Sequence, residues 1–246
     1  MIPIVDTYTP KQVKKEFAIQ PALNAKFWSA DGVLDPIIRI ALLKITKAFI
    51  DTLGVKLDIK DITFTGSLAN FNYSSVSDVD LHVVADYSTL NGDPKLIEEY
   101  LALKKSQWNS AHQSLMVRGH PVEVYVEDEK APHTTTGLYS LPQNKWIKKP
   151  AHSQPNFDPK DVATKANYFK SLYLGLLKKF RSGEYGVVSA GLASVRQDLK
   201  DMRKSGLLSG GEYSTENLAF KVLRRSGLIQ KIIQLQNRAS VSDASV

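Results

Sequence analysis

Between Asp35 and Leu53, apolar side chains recur at Ile37, Ile38, Ala41, Leu42, Ile45 and Phe49. That three-to-four spacing predicts one buried helical face, with Gly54 as its stop. The period then changes. LDIKDITFTG reads as a strand running into a glycine turn, DVDLHVVAD as a second strand, and HPVEVYVED as a third with strict alternation. Lys95 to Gln113 reads as a helix between the second and third strands, and TGLYSL with NKWIKK as a hairpin around Pro142 and Asn144. The proline-rich stretch from Leu141 to Pro159 predicts a domain boundary or a long crossover. Beyond it, helical spacing covers Lys160 to Phe180, Tyr185 to Lys204 and Ser214 to Gln236, separated by the turn-like RSGE and SGLLSGGE. The final ASVSDASV reads as a frayed tail. Strands first and helices second predict an α+β chain: a small mixed β-sheet flanked by helices over 1–150, then a basic helical domain over 151–246.

Composition narrows the class. The chain has 246 residues and no cysteine, which removes disulfides, thiolate zinc sites and cysteine nucleophiles and fits a cytoplasmic setting. No apolar run approaches the roughly 20 residues that span a bilayer, so no membrane partner is expected. The start, MIPIVDTYTPKQVKK, lacks the apolar segment of a secretory signal. Residues 1–150 hold equal numbers of basic and acidic side chains, so the net charge of +7 resides in 151–246. A basic helical part suits a polyanion such as RNA; a solvated helix surface is the alternative.

The chemistry concentrates in TGSLANFNYSSVSDVDLHVVAD, Thr65 to Asp86. Residues two apart in a strand share a face, so Asp78 and Asp80 project together while Val79, Leu81 and Val83 face a core. Paired carboxylates repel unless a cation neutralises them, and hard Mg²⁺ suits oxygen ligands and substrate phosphates. Gly66 and Ser67 follow the first strand. Glycine permits close backbone approach, and Ser67 is placed to cap a short helix over Leu68 to Asn70, whose first amides would cradle phosphate. A third carboxylate is expected on the third strand. Glu123, between Val122 and Val124, is the candidate, and Glu127 on the same face is the fallback.

With these residues in view, the segment Ile62 to Val126 resembles the DNA polymerase beta-like nucleotidyltransferases. Their signature is a strand, a Gly-Ser turn, a strand bearing Asp-x-Asp and a later acid between apolar residues. The resemblance implies a small mixed sheet flanked by helices, two Mg²⁺ ions (Mn²⁺ as substitute), and a nucleoside triphosphate donor such as ATP. It implies transfer of a nucleoside monophosphate to a hydroxyl with release of pyrophosphate. By that analogy Asp78 and Asp80 hold both ions, and Glu123 holds the catalytic one and helps to deprotonate the acceptor. The superfamily more often has Asp at the third position. HTTTGLYSLPQNKWIKKP and GGEYSTENLAFKVLRRSG look like predicted nucleotidyltransferases of large tailed phages, which would place the chain in a host cytoplasm. The basic half favours an RNA 3′ end, tRNA included, as acceptor. A protein or small-molecule hydroxyl, or a nucleotide-binding regulator without catalysis, are the alternatives.

Further candidates stand beside plainer readings. His82 shares the carboxylate face and is read as a phosphate contact or a satisfied strand histidine. Tyr139 and Trp146 are read as base-stacking rings or as hairpin packing. Ser77, with Asn70, Asn72, Tyr73 and Ser74, fills the loop between the cradle and the metal strand and is expected to contact nucleotide. His133, Thr134, Thr135 and Thr136 form a polar loop near ribose or phosphate. Lys221, Arg224 and Arg225 share a helix face for phosphate contact or for solvent, with Leu218, Val222 and Ile229 as its buried stripe.

Overall fold

The structure, a computed structural model, describes residues 7–131, 135–152 and 154–244. The chain divides into two compact units. One is Ile19–Ser153, and the other joins Met1–Ala18 to Gln154–Val246.

The first unit is built on a six-stranded sheet. Its strands are β1 (Ile59–Thr65), β2 (Val79–Ala85), β3 (Met116–Val117), β4 (His120–Asp128), β5 (Leu138–Ser140) and β6 (Lys145–Lys148), in the order β3-β4-β2-β1-β5-β6. β2 and β4 run parallel and the other neighbours antiparallel, so the sheet is mixed, as expected. The parallel pair requires a crossover, and helix α3 (Pro94–Ala111) provides it. Helix α2 (Pro36–Asp51) precedes the sheet. Both helices begin on Asp-Pro: Asp35 Oδ1 accepts from the amides of Ile37 and Ile38, and Asp93 Oδ1 from those of Lys95 and Leu96. The carboxylate satisfies first-turn donors while proline fills the position whose N–H has no partner.

One side of the sheet is the core. Val79, Leu81 and Val83 of β2, Val124 of β4 and Phe64 of β1 are fully buried with Leu42 and Phe49 of α2. Each such side chain contributes roughly 1.5–3 kcal/mol through loss of apolar contact with water. Among the described residues, no strand pairs with the outer edge of β4 at Val124. There the Asn109 carboxamide of α3 accepts from the Val124 amide (3.3 Å) and donates to its carbonyl (3.5 Å), standing in for a neighbouring strand.

The second unit is helical. It contains α1 (Pro10–Glu16), α4 (Pro159–Arg181), α5 (Tyr185–Gly210), α6 (Thr215–Arg225) and α7 (Leu228–Asp243) around one apolar core. α1 is set by a Thr9–Gln12 capping box and Pro10. Tyr8 ties its start to the later helices, with its hydroxyl 2.6 Å from Ser226 Oγ and its backbone bonded to Asn167.

Four expectations change. The unit boundary falls at Gln154, and the residues before Ile19 join the helical unit rather than the sheet unit as 1–150 implied. SGLLSG is helix, because Gly206 is a close-packing residue: a Cβ there would stand 2.4 Å from Glu216 Cβ and 2.8 Å from Ser214 Oγ. The stop comes at Gly211, with φ of 67°. The stretch Ser214 to Gln236 is two helices, broken at the left-handed Gly227. The expected frayed tail is helical as far as Asp243.

Candidate active site

The opposite side of the sheet is polar, and strand register shows which residues meet there. Asp80 pairs in register with Thr65 of β1 on one side and Glu123 of β4 on the other. The next row on this face is Ser140, Thr63, His82 and Tyr125, across β5, β1, β2 and β4. The row after it contains Asp61, Val84 and Glu127. β4 alternates as the sequence predicts: Val122, Val124 and Val126 are buried, while Glu123, Tyr125 and Glu127 are half-buried. Asp78 directly precedes β2, two positions before Asp80, and both aspartates are half-buried.

The turn after β1 is fitted to Asp80. Gly66 has φ of 75° and ψ of −163°, backbone that other residues rarely adopt. A Cβ on Gly66 would stand 1.9 Å from Asp80 Oδ2 and 2.8 Å from its Cγ. The carboxylate therefore occupies the space that any larger residue at 66 would need. A 3-10 turn, Ser67–Ala69, follows. Ser67 is not its cap, because no side-chain bond is made from that position and Gly66 is the residue before the turn. The Ser67 hydroxyl instead donates to Ser77 Oγ at 2.7 Å. Ser77 Oγ also accepts from the Ser74 amide, and its carbonyl accepts from His120. Ser77 is 4% exposed, so it pins the two ends of the loop together rather than presenting itself to a nucleotide. Behind the turn, Trp28 Nε1 donates to the Leu68 carbonyl at 2.7 Å.

Register separates the two candidates for the third carboxylate. Glu123 lies beside Asp80. Glu127 lies four residues further along, two rows away beside Val84, and bonds His82 Nδ1 at 2.7 Å. His82 is buried with its ring 3.9 Å from that of Tyr125, which makes it the satisfied strand histidine. Tyr125 was not singled out from sequence. Burial raises its hydroxyl above the ordinary value of 10.0, and the charges of Glu127, Asp80 and Glu123 raise it further, so three carboxylates of this face act on one phenol. Lys105 of α3 stands 4.3 Å over its ring. The period-two pattern of β4 put Tyr125 on the face of Glu123 and was the available signal. Thr63, also missed, has a buried hydroxyl with no hydrogen-bond partner among the described residues.

Other expected contacts lie elsewhere. Tyr139 is 1% exposed and bonds Asn144, and Trp146 stacks on Trp28 at 4.5 Å and donates to Gly32. Tyr139 is therefore core packing, whereas Trp146 is half-buried and lines a cavity of about 520 Å³ with Trp28, Gly32 and Pro150. Asn70 bonds Thr136, and Thr65 bonds Thr135. His133 and Thr134 lie outside the described residues. Lys221 is in the helical unit and pairs with Glu212 at 2.8 Å. Arg225 pairs with Glu16 at 3.0 Å and covers the Phe17 ring. The face predicted for phosphate is thus partly occupied by internal ion pairs.

Chemically, the site is an oxygen-donor set. Asp78, Asp80 and Glu123 match what a hard divalent cation takes, and the Gly66 recess holds one of them in place. Among the described residues, no three His, Asp or Glu side chains are gathered closely enough to hold an ion as they stand. Among the same residues, no helix is long and apolar enough to cross a membrane. Comparison with family models, with curated proteins and with solved structures gives no match in any of the three.

Proposed function

We propose that this protein is a metal-dependent nucleotidyltransferase that moves a nucleoside monophosphate from a nucleoside triphosphate to an acceptor hydroxyl. The observation that carries this reading is the recess at Gly66, occupied by the Asp80 carboxylate, with Glu123 in register beside Asp80. A close-fitting, half-buried recess that fixes one carboxylate beside another, next to a Gly-Ser turn, suits phosphate chemistry better than structural packing. Asp78, Asp80 and Glu123 are the residues that would hold Mg²⁺ or Mn²⁺. When bound, the ions supply charge neutralisation at the triphosphate and at the attacking and leaving oxygens.

The chain's own residues account for the remaining tasks. The turn at Gly66 and Ser67 brings backbone close to the triphosphate. Glu123 accepts the proton of the acceptor hydroxyl as its oxygen bonds the α-phosphorus. The bond from that phosphorus to the bridging oxygen breaks, and the electron pair leaves with pyrophosphate. Asp80 stays fixed by the recess, so its position costs no rearrangement during the transfer. An RNA hydroxyl is the acceptor we favour, because the helical unit carries the net positive charge.

The test uses the full chain with Mg²⁺, triphosphates labelled at the α-phosphate, and total RNA. Pyrophosphate release with labelled RNA, both abolished by Asp80→Asn, is the expected result. Labelled protein or small molecules with unlabelled RNA would move the acceptor to those classes. Triphosphate binding without any pyrophosphate release, under Mg²⁺ or Mn²⁺, would overturn the catalytic reading and leave a nucleotide-binding regulator.

A further inference from the structure

The positive charge of the helical unit is not spread evenly. On α4, Tyr173, Leu177 and Arg181 follow one another at four-residue spacing, which places them on one stripe. On α7, Lys231, Leu235 and Arg238 do the same at spacings of four and three. Between the two helices lies a groove of about 540 Å³. Tyr173, Leu177 and Leu235 form its apolar floor, and Lys231, Gln234, Asn237 and Arg238 line the α7 side. Those four α7 side chains are exposed, as is Arg181.

The cations here are not used up inside the protein. Among the described residues, Arg181, Lys231 and Arg238 make no ion pair, in contrast to Lys221 and Arg225 on α6. The nearest carboxylates along the sequence are held elsewhere. Glu184 accepts from Ser182, and Asp243 stands against Gly186 at the start of α5. Burial raises the Tyr173 hydroxyl, and the charges of Arg181 and Arg238 oppose that, so both guanidinium groups act at the groove floor.

We propose that the groove between α4 and α7 holds the backbone of a single-stranded RNA. Lys231 and Arg238 on the groove wall, with Arg181 on the α4 stripe that continues its floor, match successive phosphates. The apolar floor suits the faces of sugars and bases, and the Gln234 and Asn237 carboxamides can both donate to and accept from a 2′-hydroxyl. An anionic membrane surface is flat and fits a convex face rather than a groove. The proposal does not rest on nucleotide transfer at Asp80, since binding needs neither triphosphate nor metal.

The experiment is fluorescence anisotropy of a labelled single-stranded oligoribonucleotide with the full chain, in EDTA, across a salt series. Three phosphate contacts predict a slope of about −2 for the logarithm of affinity against the logarithm of salt. The variant with Arg181→Gln, Lys231→Gln and Arg238→Gln is expected to lose about a hundredfold at 0.1 M salt and to flatten the slope by about 2. Arg238 also covers the Phe180 ring, so the pair Arg181→Gln with Lys231→Gln is measured beside it, with an expected loss of about twentyfold. Circular dichroism confirms that each variant is folded. Lys44→Gln, Lys56→Gln and Lys95→Gln together remove the same charge from exposed positions of the sheet unit and are expected to change affinity by less than about threefold. Absence of RNA binding by the unaltered chain, equal losses in the two triple variants, or equal affinity for single-stranded DNA or an acidic polypeptide would each overturn the proposal.

Discussion

Gly66→Ala tests the geometry on which the site depends. The backbone at 66, with φ of 75° and ψ of −163°, lies in a region essentially reserved for glycine. Holding alanine there costs about 1–3 kcal/mol. The new methyl would stand 1.9 Å from Asp80 Oδ2, far inside contact distance, so the carboxylate must move or the turn must open. Overpacking of that kind costs about 1–3 kcal/mol more. The sum, roughly 2–6 kcal/mol, is a large part of the ~5–15 kcal/mol that holds a typical domain folded. The assay is urea unfolding followed by tryptophan fluorescence. All three tryptophans, Trp28, Trp108 and Trp146, lie in the sheet unit, so the signal reports that unit alone. The two contributions separate in a cycle with Asp80→Ala. The backbone cost persists in that background, and the clash disappears. Gly66→Ala is therefore expected to cost about 1–3 kcal/mol less when Asp80 is already alanine. Equal costs in both backgrounds would show that the carboxylate does not fill the recess.

Three other outcomes follow from neighbouring contacts. Glu123→Gln is expected to abolish pyrophosphate release while leaving urea stability nearly unchanged, whereas Glu127→Gln, which weakens a bond to buried His82, is expected to lower stability by about 1–3 kcal/mol and leave measurable turnover; the reverse pattern would exchange their roles. Asn109→Leu leaves the Val124 amide and carbonyl without their partner and is expected to cost about 1–3 kcal/mol, read by the same urea titration. Burial raises Tyr87 to about 12 and Tyr125 also above 10.0, so the unfolded chain releases these phenolic protons first. Stability from both groups is complete below pH 10 and lost as pH rises towards 12 and beyond, and Tyr125→Phe is expected to flatten that alkaline loss in a urea series against pH.

Local pattern made much of this legible. HPVEVYVED is β4 residue for residue, because alternation over nine positions is a local signal that tertiary packing reinforces. The two aspartates and the Gly-Ser turn were likewise visible, since strand period and glycine chemistry act within a few residues. What depended on distant contacts was not visible. α1 is seven residues long, too short to hold itself, and exists through Tyr8 and its partners near Asn167 and Ser226. SGLLSGGE reads as a turn because a glycine such as Gly206 can either end a helix or let it pack closely, and only the proximity of Ser214 and Glu216 shows which applies. Tyr139 and Trp146 stay open between base stacking and packing because their partner, Trp28, lies more than a hundred residues earlier in the chain. Strand register, which sets Glu123 rather than Glu127 beside Asp80, comes from pairing across the sheet and leaves no mark in either strand alone.

The bond between Tyr8 and Ser226 spans 218 residues, and it has a consequence for how the protein is made. The sheet unit is one continuous stretch of chain, complete once Ser153 has been synthesised. The helical unit is not: its first piece leaves the ribosome before the sheet does, and waits for α6 and α7 before its core can close. During that interval Val13 and Phe17 have no helical core to enter. The sheet unit is thus an insertion within the helical one, and its own folding brings the two ends of the interrupted domain together, shortening the loop that the late helices must close. Destabilising the sheet should therefore slow helix assembly during synthesis even where no helical residue has been changed.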